Sequence, residues 1–541
     1  MTEVINTQTP PILHAPSEKE RKYDRQLRLW AASGQSALES ANILLVNSGV
    51  GAVGAETLKN LVLPGIGRFA IYDEAVVQEA DLGVNFFLDE TWLGKSRSQG
   101  LTELISELNP DVQGTWYPNE TAKTLESLLA GDPLFTIILY TLPIRPDQLA
   151  HIEAYGQRHK TPTVAIHSAG FYSYFQLNLP GAFPIVDTHP DETATTDLRL
   201  LSPWPELVDF AQELTKDIDN LDNYEHGHLP YVVILLHYLE RWKANHGGKP
   251  PSTYKEKSEF RKLVQAAART DNPEGGEENF DEAAAAVLKT LATPSLPSGL
   301  KEVFEHEHTY PVEQRSGFWL IADAVKQFYD KHGCLPLPGK LPDMKAKSNV
   351  YVQLQNIYKA KARKDAAEIL EAVRAMPGGD RVDPAEVELF CKNAAFVKLV
   401  NATGGPNAKT SKADRLKAVA DTEFTNDKTA EMALAPLSLL PIYLALQATA
   451  HHVDVDAPLS ADDILSVISQ RVLPGAETNK RVIQAAQEVA RAAGGELHNV
   501  AALTGGLVAQ ETIKIITKQY IPIDNTCIYD GIAGRCQVLR L

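Results

Sequence analysis

Residues 42–75, NILLVNSGVGAVGAETLKNLVLPGIGRFAIYDEA, constrain the fold more than any other stretch of the chain. The apolar run NILLVN reads as a buried strand. A glycine-rich turn follows, then a helix carrying Leu58, Leu61 and Val62, then a second apolar strand, FAIYD, that ends at Asp73. Two strands joined through a helix make a βαβ unit, which calls for a parallel sheet covered by helices. Gly49, Gly51 and Gly54 supply G-x-G-x-x-G between strand and helix, and Asp73 lies 19 residues past the last glycine. The nucleotide fingerprint is therefore complete. Bare backbone lets a phosphate sit against amides at a helix N-terminus, and the carboxylate can accept hydrogen bonds from ribose hydroxyls. A tight turn with an empty site is the competing reading.

The same alternation continues through a helix at SRSQGLTELISELN, a strand at FTIILY, a helix at DQLAHIEAYGQRH and a strand at TVAIH, while GFYSYFQLNL reads as an antiparallel edge. Ahead of it, Ser17 caps a helix, SEKERKYDRQLRLW, with Tyr23, Leu27 and Trp30 on one face. From about residue 195 the pattern turns helical, as in YVVILLHYLERWKANH, SGFWLIADAVKQFYDKH and KAKARKDAAEILEAVRAM. TDNPEGGEENFD and NATGGPNAKTSKAD read as exposed loops. The expected organisation is a flexible tail at 1–17, a first α/β part at 18–190, a mainly helical insert at 191–485, and a return to α/β structure at 486–541.

Charge and cysteine content exclude several classes. A net charge of −17 opposes general attraction to nucleic acid or anionic membranes, so a protein or small-molecule partner is expected. No apolar run is long enough to span a bilayer and the first residues lack a signal-peptide core, which predicts a cytoplasmic and nuclear protein. Cys334, Cys391, Cys527 and Cys536 form no C-x-x-C pair, so neither a disulfide framework nor a cysteine zinc site is expected. The GKS at 94–96 has Asp89 where a P-loop needs glycine. An NAD oxidoreductase stays open on the fingerprint alone.

Several segments, in order, resemble the adenylation domains of ubiquitin-like activating enzymes of the ThiF/MoeB-like superfamily: KYDRQLRLW, GAETLKNLVLPGIGRFAIYDE, DLGVNFFL and GGLVAQETIKIITKQY. Within the helical insert, DLRLLSPWPEL, TYKEKSEFRKL, LPLPGKLPDM and YVQLQNIYKAKARKDAA look closest to regulatory subunits of Nedd-type (Rub-type) activating enzymes. The resemblance covers nearly the whole chain. It implies a Rossmann-like adenylation fold with a large helical insert, and a heterodimer in which a catalytic subunit holds Mg-ATP and the thioester cysteine. The second partner implied is the Nedd-type ubiquitin-like protein.

Against that family pattern the glycines and Asp73 are kept, but Asn85 in DLGVNFF stands in the place of a phosphate-binding arginine. Arg97 in GKSR replaces a lysine, and Thr141 in YTLP replaces the magnesium aspartate, which a neutral hydroxyl cannot match as a ligand. The fingerprint residues are thus expected to be vestigial, with no cofactor or metal held by this chain. Cys391 sits on an apolar helical pattern and is expected to be buried and inert, and Cys334 lies in a loop near His332; neither is in the family's nucleophile motif. The resemblance gives Arg25, in YDRQ, a role across the interface on the partner's ATP, where its forked guanidinium suits phosphate oxygens. It also marks residues 332–344 as a partner-contacting segment, with His332, Leu335, Pro336, Leu337, Pro338, Leu341, Pro342 and Met344 as contacts. A self-sufficient homodimeric adenylating enzyme is the alternative, although such chains are shorter and often carry paired C-x-x-C ligands.

Overall fold

The computed structural model describes residues 15–191, 196–270, 276–291, 295–400, 411–453 and 457–541. The proposed tail and the loop at 401–414 fall largely outside these residues, as do 271–275 of the loop at 270–281; the end of that stretch is not loop but the start of the helix Glu278–Thr290, with Phe280 buried. Two compact units emerge, one of residues 1–185 with 400–541 and the other of residues 186–399.

The first unit is built on an eight-stranded sheet. Its strands are β1 (Asn42–Val46), β2 (Arg68–Tyr72), β3 (Gln113–Tyr117), β4 (Ile137–Leu142), β5 (Thr163–Ala169) and β6 (Tyr172–Asn178). β7 (Phe183–Val186) and β8 (Val397–Val400) mark where the chain leaves and re-enters the unit. β9 (Thr526–Asp530) and β10 (Arg535–Leu539) complete the sheet, in the order β10-β9-β6-β5-β4-β1-β2-β3. β1 to β5 run parallel, and β6, β9 and β10 are antiparallel. β6 is antiparallel as its alternation suggests, but it is not an edge: β9 covers it, and the pairing partner arrives some 350 residues later in sequence. β3, QGTWY, is an edge strand that the pattern did not reveal, because its side chains are only partly buried.

Alternation along the strands feeds two cores. Ile43, Leu45, Phe69, Ile71, Ile137 and Leu139 pack on one face, and Leu44, Val46, Ala70, Tyr72 and Ile138 on the other. Each such fully buried aliphatic side chain contributes about 1.5–3 kcal/mol. After the exposed short helix α1 (Glu18–Lys22), the first face is covered by helices α2 (Asp24–Glu39) and α3 (Ala52–Val62), by later helices, and by the helix His498–Thr517. Ser17 and Glu20 close a capping box at α1, and Trp30 and Ala31 (φ 54°) break α2 midway. Gly505 lets His498–Thr517 press its backbone on α3, since a Cβ there would lie 2.8 Å from the Thr57 amide.

The opposite face corrects the domain expectation. The helical unit ends at Leu399, not 485, and the helices Lys412–Ala433, Leu440–Thr449, Ala461–Val467 and Lys480–Ala492 belong to the α/β unit. Leu416, Ala420, Leu444, Ile464, Val482 and Ala485 pack there with Leu44, Val46 and Tyr174. A helical period reports that a helix has an apolar face, not which surface that face will meet.

The second unit is helical. One core gathers Trp204, Leu235, Phe260, Phe280, Leu354 and Tyr358, and the other Ile321, Val325, Phe328, Ile369, Val373 and Phe390. The long helix Ser348–Arg374 serves both, its first half in one and its second half in the other. Among the described residues no helix is long and apolar enough to cross a membrane.

Candidate functional site

The fingerprint folds into the expected strand–turn–helix. Gly49 (φ 61°) and Gly51 (φ 69°) take left-handed conformations open to glycine at little cost. What crowds them is protein. A Cβ on Gly51 would lie 2.2 Å from Asn47 Nδ2, and one on Gly54 would lie 2.5 Å from Asn47 Oδ1. Asn47, the residue after β1, is tucked beneath the loop and donates to Asp73 Oδ2 at 2.9 Å.

Asp73 stands at the end of β2, as the sequence requires, but its carboxylate is already engaged. Oδ2 accepts from Arg97 Nε at 2.7 Å as well as from Asn47, and Oδ1 accepts from the Ala75 amide at 3.0 Å and Arg97 Nη2 at 3.2 Å. Arg97 opens helix α5 (Arg97–Ser106), which follows the short helix α4 (Glu79–Leu82). Its Nη1 donates to the Val50 carbonyl and to Asp81 Oδ1, both at 3.1 Å, and its Nη2 also reaches the Gly49 carbonyl at 2.9 Å. A guanidinium has five N–H donors, and all five are used inside this chain. Burial opposes its charge, but Asp73 and Asp81 outweigh burial and hold the Arg97 pKa above its ordinary value. The residue read as a conservative change of a phosphate cation is thus a buried strut across the loop.

A further residue fills the phosphate position, and sequence reasoning missed it. Glu496, 6 % exposed, accepts from the Val53 amide at 2.8 Å, in the first turn of α3 where a phosphate would sit in a loop of this type. Burial pushes its carboxyl pKa up to about 7, against the pull of the Val53 and Gly51 amides and the Arg97 charge. Its backbone is fixed by a bridge to Gly170, whose amide donates to the Gly495 carbonyl at 2.8 Å. No local signal in GELHNV identifies it, since the loop it serves lies 443 residues earlier.

The other departures are internal too. Thr141, fully buried near the end of β4, accepts from the Ser48 amide at 2.7 Å and donates to the Ser48 carbonyl at 3.1 Å. Asn85 is buried, and its Oδ1 accepts from the Phe87 amide at 3.2 Å, while its Nδ2 has no partner among the described residues. Among the described residues no group of three or more His, Cys, Asp or Glu is placed to hold a metal ion. Arg25 contrasts with all of these: it lies exposed on the first turn of α2 with no hydrogen-bond or ion-pair partner among the described residues.

In the helical unit, the segment 332–344 is tied down from within. The Leu337 amide donates to buried Asp365 at 3.0 Å, and the Leu335 carbonyl accepts from Arg199 Nη2 at 2.7 Å. Pro336, Leu337 and Met344 are buried, the last two in the core around Tyr358, so as side chains they are not on offer to a partner in this conformation. An apolar residue in a proline-rich loop is as often an anchor as a contact. Leu335, Pro338, Leu341 and Pro342 stay half-buried at the surface, and exposed His332 pairs with Glu368 at 2.9 Å. Cys391 is buried and its thiol is pushed up to about 12 by burial. Cys334 is also raised by burial, although Arg199, whose Nη1 donates to its Sγ at 2.9 Å, pulls the other way.

With this geometry the chain falls into a class: it belongs to the ThiF family, whose model matches residues 23–541. Its similarity is full-length. It is 35 % identical to the "NEDD8-activating enzyme E1 regulatory subunit" of Xenopus laevis, over 97 % of this chain and 99 % of that one, and also 35 % identical to the Danio rerio protein of the same name, with the same coverage. The Arabidopsis thaliana "NEDD8-activating enzyme E1 regulatory subunit AXR1" is 31 % identical, covering 97 % of each chain. The chain belongs to the family of these regulatory subunits.

Proposed function

We propose that this chain is the non-catalytic regulatory subunit of a heterodimeric activating enzyme for a NEDD8-type ubiquitin-like protein, acting in cytoplasm and nucleus. The partner subunit binds Mg-ATP, adenylates the C-terminal glycine of the modifier and carries the thioester cysteine. One observation carries the reading: the nucleotide place of this chain is filled by its own residues. Arg97 uses all five donors on Asp73, Asp81 and the loop carbonyls, and Glu496 takes the phosphate position at α3. An NAD oxidoreductase or a self-sufficient adenylating homodimer would need Asp73 free for ribose, and an adenylating enzyme would need a carboxylate where Thr141 stands.

Arg25 supplies a cation to the partner's ATP. Its exposure and the lack of a side-chain partner among the described residues support that role, and the surface residues of the segment 332–344 give the catalytic subunit a place to dock. Cys391 and Cys334 stay protonated and do not form the thioester. The test is ATP–pyrophosphate exchange with the modifier and magnesium: none is expected from the purified chain, and addition of the catalytic subunit should produce it. Robust exchange by the chain alone would end the proposal.

A further inference from the structure

Two thiols on the last strands take no part in the nucleotide place. β9 and β10 pair antiparallel with Cys527 opposite Val538 and Cys536 opposite Tyr529, so the cysteines are diagonal neighbours on one face of the ribbon. That register makes their side chains neighbours across the ribbon, and each thiol shifts the other's titration. Their surroundings differ. Cys527 is buried in the core that also holds Phe175 and Ile166, whereas Cys536 is exposed on β10, the edge of the sheet.

That asymmetry assigns the proton. The hydrogen bond to Cys536, then burial, keep Cys527 protonated far above the ordinary thiol range, and as donor it pulls the Cys536 pKa below that range. Cys334 and Cys391 are shifted the opposite way, upward, by burial.

We propose that Cys536 and Cys527 form a peroxide-sensitive dithiol, in which exposed Cys536 is the attacking thiol and buried Cys527 the resolving one. The Cys536 thiolate attacks one oxygen of a peroxide, the O–O bond breaks, and hydroxide leaves to give a sulfenic acid. Cys527 Sγ then attacks the Cys536 sulfur, its proton passes to the departing hydroxyl, and water leaves as the disulfide forms. The dithiol loses two electrons and two protons, and hydrogen peroxide is reduced to two waters.

Diagonal neighbours on antiparallel strands have Cα atoms about 7–8 Å apart, just beyond the roughly 4.4–6.8 Å of a relaxed disulfide. Bridging therefore draws β10 inward, which an edge strand with one neighbour permits, and the bond is readily reduced again. The movement has a destination. On β10, Gln537 Oε1 accepts from the Leu439 amide at 2.6 Å and Arg535 donates to the Leu437 carbonyl, so oxidation pulls on the start of the helix Leu440–Thr449.

The experiment uses the full chain, reduced and then given equimolar hydrogen peroxide, with non-reducing peptide mapping by mass spectrometry. A Cys527–Cys536 bridged peptide that disappears with dithiothreitol is expected. In Cys527→Ser, oxidation should stop at a sulfenic acid on Cys536 that dimedone traps. Before oxidation, iodoacetamide at neutral pH should label Cys536 about tenfold or more faster than Cys334 or Cys391. Absence of the bridged peptide in the unsubstituted chain, equal labelling of Cys334 or Cys391, or Cys536 joined only between chains would each overturn the proposal.

Discussion

Replacing Arg97 by alanine removes a guanidinium whose side chain is 4 % exposed and strands two carboxylates, Asp73 at 1 % and Asp81 at 9 %. Breaking a buried pair by deleting one partner costs about 3–5 kcal/mol, because the remaining charge is left desolvated. The α/β unit has about 330 residues. At about 2.1 cal/mol/K per residue its unfolding entropy is about 0.7 kcal/mol/K, which converts that loss into a Tm lower by roughly 4–7 °C. Arg97→Lys should recover only part of this, since an ammonium has three donors and cannot span Asp73, Asp81, Gly49 and Val50 together. Pairing Arg97→Ala with Asp73→Asn should cost less than the two single changes combined, by about 1–3 kcal/mol, because the double variant no longer buries an unpaired Asp73 charge. Thermal melts of the four proteins test the scheme. A single Arg97→Ala loss below about 1 kcal/mol, or strict additivity with Asp73→Asn, would refute the claim that Arg97 is a structural strut and not an idle nucleotide ligand.

Glu496 gives the fold a pH dependence of unusual sign. Its folded pKa, about 7, is above the ordinary 4.5, so its contribution is full below about pH 4.5 and is lost as pH rises through 7, by about 3 kcal/mol. His167, held down to about 4 by burial, works oppositely and loses stability as pH falls below 6.5, so the comparison to make is chain against Glu496→Gln, whose melts should lack the Glu496 slope. Gly51→Ala combines a positive φ with a Cβ 2.2 Å from Asn47, and should cost about 2–3 kcal/mol; Asn47→Ala in the same chain should relieve the contact but not the backbone strain. Leu337→Ala should lower stability by about 2–5 kcal/mol as a core cavity, whereas Leu341→Ala, half-buried at the margin of the same core, should lower it less and weaken binding of the catalytic subunit in titration. Arg25→Ala should leave the heterodimer intact and slow adenylation about 100-fold; weaker dimerisation with unchanged chemistry per dimer would make it a packing residue.

The βαβ unit was legible because it is local: the strand, the turn, the helix and Asp73 lie within 34 residues and follow one period each. Which side chains occupy the turn was not legible. The loss of a magnesium carboxylate at Thr141 and the change at Arg97 could be read as departures, but only the folded chain shows Arg97 turned inward onto Asp73. Glu496 was invisible because its partner, Val53, is reached through the sheet and not along the sequence. The helices from 412 to 492 were misassigned for a related reason, since their apolar stripes fit a separate bundle as well as they fit the back of β1 and β4. In the segment 332–344, spacing could not distinguish Leu337, which fills a core, from Leu341, half-buried at that core's margin.

The central claim, that this chain completes a partner's nucleotide site while its own is closed from within, is tested most directly by counting nucleotide. Equilibrium dialysis of Mg-ATP should give no saturable binding to the chain alone and one ATP per heterodimer once the catalytic subunit is added. One ATP bound by the isolated chain, or two by the heterodimer, would contradict it.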